Sequence, residues 1–159
     1  TIKNIGFETS MTIATSKTTD VYVGLIIGNL LGTLENVYVL GTLASTSLRT
    51  SYIGGLVGYS TGSIINSYSN VSITATSTNL KCYAAGMVGY NDGLVASVGS
   101  NSSVISCYRY NGQTIIKFGS SSTSYNEIGI VASLEEIISY CKSNWNGDVW
   151  SFKNMFPIF

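Results

Sequence analysis

Few side chains in this sequence can move a proton, attack a carbonyl or hold a metal. No histidine occurs among its 159 residues. Imidazole-based triads, His-ligated zinc and histidine proton transfer are therefore excluded. The aspartates are Asp20, Asp92 and Asp148, each more than fifty residues from the next. Calcium-assisted proton abstraction needs clustered hard oxygen ligands, and Asp92 instead stands in Asn91-Asp-Gly93, a turn-forming sequence. Glu135 and Glu136 fall where a helix would open, a place that its dipole favours for acids. Cys82, Cys107 and Cys141 lack close metal-ligand spacing. Cys82 and Cys107 could bridge or simply be buried thiols. No catalytic residue, cofactor or metal site is expected.

Tyrosines are the remaining chemistry. Tyr59 and Tyr90 each follow a glycine in similar surroundings, and Tyr52 and Tyr83 form a second such pair. Aligned tyrosines could contact glycans, since sugar faces stack on rings while hydroxyls bond to Asn and Thr. The rival reading is an aromatic ladder that only stabilises the fold. The ladder is the favoured reading, because Asn29 occupies the first corner where the later copies have Tyr59 and Tyr90. Asn70-Val-Ser72 and Asn101-Ser-Ser103 are glycosylation acceptors only on a eukaryotic secretory route. Ser/Thr runs at Thr12 to Thr19 and Ser72 to Thr78 raise the idea of ice binding. That idea needs a regular Thr-x-Thr column in register over several rungs, and no such column aligns in this sequence.

The elements that position these groups follow from a repeat. Tyr22-Val-Gly-Leu-Ile-Ile-Gly28-Asn-Leu-Leu-Gly32 aligns with Tyr52-Ile-Gly-Gly-Leu-Val-Gly58-Tyr-Ser-Thr-Gly62. Tyr83-Ala-Ala-Gly-Met-Val-Gly89-Tyr-Asn-Asp-Gly93 is the third copy, and the glycine pairs recur at steps of 30 and 31. Asn36-Val-Tyr38 repeats as Asn66-Ser-Tyr68. One such unit cannot bury its apolar face, whereas stacked copies share a continuous core. Charged residues make up only 10% of the chain and Pro occurs once. Against roughly 25% charge in an average domain, this composition points to an all-β, turn-rich fold with hydroxyls in place of surface charge. Eight basic residues balanced by eight acids exclude a phosphate-binding footprint, so nucleic acid is not expected as a partner. The most apolar window, Val21 to Leu34, is too short and too glycine-rich for a spanning helix. No membrane insertion is expected in this segment.

Gly54-Gly-Leu-Val-Gly58-Tyr-Ser-Thr-Gly62-Ser-Ile-Ile-Asn66-Ser-Tyr68 resembles the GLUG motif, a repeat of microbial surface proteins, including large adhesins. Gly86-Met-Val-Gly89-Tyr-Asn-Asp-Gly93 matches its first half, and Ile2-Lys-Asn-Ile-Gly6-Phe7 resembles the end of a preceding unit. The first copy is looser, with Ile26-Ile27-Gly28 for Leu-Val-Gly. In the third copy the Ser-Tyr ending is expected about ten residues late, at Ile105-Ser-Cys107-Tyr108, after an insertion around Gly99 to Ser103. The resemblance implies a right-handed parallel β-helix, or β-solenoid, and an extracellular or cell-surface setting. It brings no catalytic residues.

Residues 1–119 are expected to form the repeats: a partial rung over 1–20, then 21–50, 51–81 and 82–119. Residues 120–159 are expected to form a loop and a C-terminal cap. Ser133-Leu-Glu-Glu136 has capping-box spacing. A helix is expected over about 133–142, and a strand over about 148–153 after the Asn146-Gly147 turn. The helix, with Ile137, Ile138 and Trp145, is expected to act as a lid on the open end of the stack. No such lid is visible at Thr1-Ile-Lys-Asn-Ile, which is expected to continue a longer chain. Together these features suggest a non-catalytic extracellular module acting as a rigid stalk or adhesion surface. Its partner would be a host or surface glycan or protein. One alternative is a fibre or sheath subunit that stacks on neighbouring copies of itself; a weaker one is a carbohydrate-active β-helix enzyme.

Overall fold

A computed structural model describes residues 1–92, 103–105, 107–118, 122–123, 130–152 and 157–158. The chain is mostly β, with parallel sheets and one short helix. A long strand β1 (Ile2–Thr15) leads into two short strands, β2 (Val21–Gly24) and β3 (Ile27–Leu30). The pattern then recurs as β4 (Thr33–Ser47), β5 (Ser51–Gly54) and β6 (Val57–Ser60). It recurs again as β7 (Ser63–Ile65), β8 (Tyr68–Ser77), β9 (Cys82–Ala85) and β10 (Val88–Asn91). The last strands are β11 (Ser103–Ile105), β12 (Tyr108–Tyr110), β13 (Ile115–Phe118), β14 (Ser122–Thr123) and β15 (Ile130–Ala132).

Like pairs with like. β4 pairs in parallel with β1 on one side and with β7 and β8 on the other. β2, β5, β9 and β14 form a second parallel sheet, and β3, β6 and β10 a third. The sequence repeat is thus a repeat of hydrogen-bonded neighbours: Tyr22, Tyr52 and Tyr83 share one register position, and Tyr38, Tyr68 and Tyr108 another. The Tyr68–Tyr108 pairing has a 40-residue step, so the Ser-Tyr ending does arrive late in the third copy. The insertion expected around Gly99 to Ser103 lies mostly outside the described residues.

Alternation along each strand decides what is buried. In β8, Val71, Ile73 and Ala75 point into a core shared with Val37, Val39 and Leu43 of β4 and Ile53 of β5. Ser72 and Thr74 point the other way. Asn4, Asn36 and Asn66, at matching places in successive repeats, have φ of 56°, 52° and 47°. Asn tolerates this left-handed region better than other side chains. The Asn36 amide also donates to Asn4 Oδ1 at 3.0 Å, tying one repeat to the next.

The C-terminal segment differs from expectation in two ways. Helix α1 (Leu134–Asn144) and the described residues after it do not join the main core. They build a second core on the outer face of the first sheet, from Ile137, Cys141, Trp145 and Trp150 packed on Tyr68 and Tyr108. The reason lies in the tyrosine column: Tyr38 and Tyr68 stack at 5.5 Å and point away from the main core, and they need a cover. The Tyr68 hydroxyl donates to the Pro157 carbonyl at 2.6 Å. Where a strand was expected from about 148, the structure has a turn over 147–149. Asn146 Oδ1 accepts from the Asp148 N–H, and its carbonyl accepts from the Val149 and Trp150 N–H groups. These donors are satisfied locally, and among the described residues of this segment Ser151 forms an antiparallel bridge with Ile158.

The capping box does form. Ser133 Oγ accepts from the Glu136 N–H at 3.3 Å, and Glu136 Oε2 accepts from the Ser133 N–H at 2.8 Å. Ser133→Ala should therefore cost about 1 kcal/mol, measured as a shift in chemical denaturation. These hydrogen bonds hold the Glu136 carboxyl below the ordinary glutamate range. Their contribution is present above the unfolded-state pKa and fades as pH falls through the lower folded value. An acid titration of Ser133→Ala should accordingly lose part of the parent's slope.

Candidate functional site

The five tyrosines beside the glycine corners come together in one strip. In β5 the inward residue is Ile53, so Tyr52 faces out; the same alternation turns Tyr59 of β6 outward beside buried Ser60. Gly58 then brings the two strands close. A Cβ there would lie 2.5 Å from the Val23 nitrogen and 2.7 Å from the Tyr52 carbonyl oxygen. Only a residue without a side chain permits this approach. The corner glycines thereby place the two tyrosine columns side by side.

Tyr22, Tyr52 and Tyr83 stack with ring centroids 5.0 and 5.1 Å apart and planes within 7°. Tyr59 and Tyr90 stack at 5.5 Å. Between columns the rings meet edge to face, Tyr52 with Tyr59 at 5.8 Å and Tyr83 with Tyr90 at 5.4 Å. Each offset or T-shaped contact adds about 0.5–1.5 kcal/mol beyond burial. The four predicted residues, Tyr52, Tyr59, Tyr83 and Tyr90, are thus brought together, with Tyr22 as a fifth member.

This geometry changes the chemistry that the strip can do. A sugar cannot slip between rings already in contact with each other, so stacking on ring faces is confined to the column ends. Tyr22, on the edge strand of its sheet, is 42% exposed there. Elsewhere the strip presents ring edges. The Tyr59 hydroxyl donates to Asp92 Oδ2 at 2.7 Å, so Asp92 belongs to the strip as well as to its turn. Sequence reasoning missed this partner, since only the stacking of β10 on β6 brings it over Tyr59. Asn29 lies in register with Tyr59 and continues that column.

Burial, then Asp20, then the neighbouring tyrosines push the Tyr52 phenol up to about 12. Burial first, and then the bond to Asp92, raises Tyr59 as well. Both rings stay neutral far above physiological pH. The Tyr52 contribution to stability is full below the ordinary tyrosine value of 10.0 and is lost as pH rises from there through about 12. A phenolate absorbance titration should show these two rings ionising late. Asp92→Asn should bring Tyr59 down, with Tyr52 nearly unmoved.

The other candidates are scattered. Cys82 is in register with Ser51 on the second sheet, whereas Cys107 Sγ donates to the Ile64 carbonyl at 3.3 Å. No bridge joins them, and all three thiols are reduced and buried. Burial raises Cys82 and pushes Cys141 up to about 12, which removes them as nucleophiles. Glu135 and Glu136 open α1. Asn70 lies on the outer side of β8, and Asn101 lies outside the described residues. Among the described residues, no group of three or more Cys, Asp or Glu is placed to hold a metal ion. No described helix is long and apolar enough to cross a membrane.

Comparison with known proteins adds one finding. The family model of the GLUG motif matches residues 50–74. That span runs from the start of β5 through the Gly58 corner into β8. No curated protein and no solved structure matches the chain. The chain therefore carries a GLUG motif, in the repeat that holds Tyr52, Tyr59 and Tyr68.

Proposed function

We propose that this chain is a non-catalytic module of a secreted or cell-surface protein, in which a right-handed parallel β-helix serves as a rigid stalk and carries an adhesion surface. The single observation behind this reading is the tyrosine strip. Five rings are locked in two interleaved columns on a stack of backbone hydrogen bonds. Such a surface is pre-organised, so a ligand would bind without ordering loops or side chains first. Ring edges, hydroxyls and the Asp92 carboxylate suit a glycan or a protein loop offering hydrogen-bond donors. The GLUG motif at residues 50–74 supports the extracellular setting. The lack of histidine and the engagement of Asp92 with Tyr59 support a non-catalytic role.

The test is binding of the purified chain to immobilised glycans and matrix proteins, with Tyr52→Ser and Tyr22→Ala alongside. A ligand lost at least tenfold in both variants supports the strip. A ligand that they bind as well as the parent, or turnover of a glycan, would overturn the reading.

One observation favours a second reading. β1 is a 14-residue edge strand, and Phe7, which is in register with buried Val39, is 47% exposed. Long unpaired edges are templates for association, as a self-stacking fibre subunit would need. Sedimentation over a wide concentration range separates the two, since the stalk reading expects a monomer throughout.

A further inference from the structure

The tyrosine strip is missing one ring. In its second column Tyr90 stacks on Tyr59, with planes within 4°. The next place in that register belongs to Asn29, so the first repeat offers an amide where the other two offer a phenol ring. Among the described residues, Tyr59 meets Tyr22 and Tyr52 edge to face, and no ring stacks on its Asn29 side. The Asn29 side chain is exposed. The first column runs past this gap unbroken, because Tyr22 is present and stacks on Tyr52. The gap therefore comes from one residue type at one corner.

The neighbouring repeat shows what the gap accommodates. Tyr59 itself fills the equivalent place there, lying against Tyr90 and meeting Tyr52 of the first column edge to face at 5.8 Å. A ring beside Asn29 would lie against Tyr59 in the same way, with Tyr22 standing where Tyr52 does. Tyr59 is already fixed for that role. Tyr90 holds one face, Tyr22 and Tyr52 its flank, and its hydroxyl donates to Asp92 Oδ2 at 2.7 Å. Little has to be ordered when a ligand arrives.

We propose that the gap beside Asn29 is a subsite for one uncharged pyranose ring, an inference that rests on the strip being the adhesion surface. Three features select that ligand. Its size is right, since the equivalent places hold six-membered rings, and a pyranose offers C–H groups to the Tyr59 face. Its rim is right, because the Asn29 amide brings two donors and an acceptor that sugar hydroxyls can answer. An aromatic side chain of a protein partner would strip water from that amide and leave it unbonded. Charge decides the rest. Residues 18–34 and 50–80 contain no Lys or Arg. Asp92 is bonded to Tyr59, and Asp20 lies within electrostatic reach of Tyr52, so an acidic sugar would be repelled.

The experiment is saturation-transfer NMR titration of the purified chain with the methyl glycosides of glucose, galactose, mannose and N-acetylglucosamine. Methyl glucuronide and N-acetyltyrosinamide represent the rival occupants. At least one neutral glycoside should bind, and both rivals should bind more weakly. Asn29→Tyr gives the first repeat the ring that the other two carry. It should fold as well as the parent and lose that glycoside at least tenfold. Asn29→Ala keeps the space and should lose roughly threefold. Asn29→Tyr binding as well as the parent would overturn the subsite; the strip reading would survive if Tyr52→Ser then lost the glycoside, and fall if it did not. Binding of none of the four glycosides, or preference for N-acetyltyrosinamide, would also overturn the subsite.

Discussion

Gly58→Ala should cost about 3 kcal/mol or more, at the upper end of what forced overpacking removes. The added methyl would meet the Val23 nitrogen at 2.5 Å and the carbonyl oxygens of Gly28 and Tyr52 at 2.7 Å each. All three are backbone atoms in hydrogen-bonded strands, and none can move without breaking a ladder. The lost stability would be accompanied by separation of the tyrosine columns, so tyrosine fluorescence should change as well. Gly32→Ala is the internal control. It lies in another corner of the same motif, yet nothing stands within 4 Å of its would-be Cβ. Alanine there should be neutral, or stabilising by up to about 1 kcal/mol through the unfolded chain. Urea unfolding of the two variants beside the parent gives the comparison. Equal losses would mean that the repeat's glycines act through chain entropy and not through close approach.

Trp150→Ala should be the most damaging change outside the repeats, at about 3–5 kcal/mol. Trp150 is 2% exposed. It contacts Trp145 at 4.4 Å, Tyr38 at 6.0 Å and Tyr68 at 6.1 Å between ring centroids. Its removal opens a cavity between the cap and the outer face of the first sheet. The two cores are separate clusters, so the damage should be local. Limited proteolysis should cut within residues 134–152 while the strands stay protected, and the far-ultraviolet β signal should persist. A single cooperative loss of both signals would show instead that the cap is part of the folding unit of the sheets.

Much of the architecture was legible before any coordinates, and for a physical reason. Parallel pairing of repeats presents each side chain with its own counterpart one repeat away. Glycine, tyrosine and asparagine are thus written into the sequence at the repeat step, as in Tyr22, Tyr52 and Tyr83 or Asn36 and Asn66. The capping box was equally plain, since Ser133 and Glu136 satisfy each other within one turn. The cap's position was not legible. Whether Trp145 and Trp150 cover an end or a flank depends on which apolar surface is left open. The tyrosine column that attracts them shows its outward direction only once the register is known. The turn at Asn146 was misread as leading into a strand because Val149 and Trp150 have strand propensity, which local hydrogen bonds to Asn146 override.

The sequence by itself determined the repeat, its step, the β character and the absence of histidine chemistry. Those follow from residue type and period, which need no partner to be read. Tertiary structure alone decided that the tyrosines of two different sheets interleave, and that Asp92 reaches Tyr59. It also decided that Ser10, Thr42 and Ser72 stand in one rank. Each is a contact between coils, fixed by where the backbone turns, and side chains far apart along the chain carry no local mark of it.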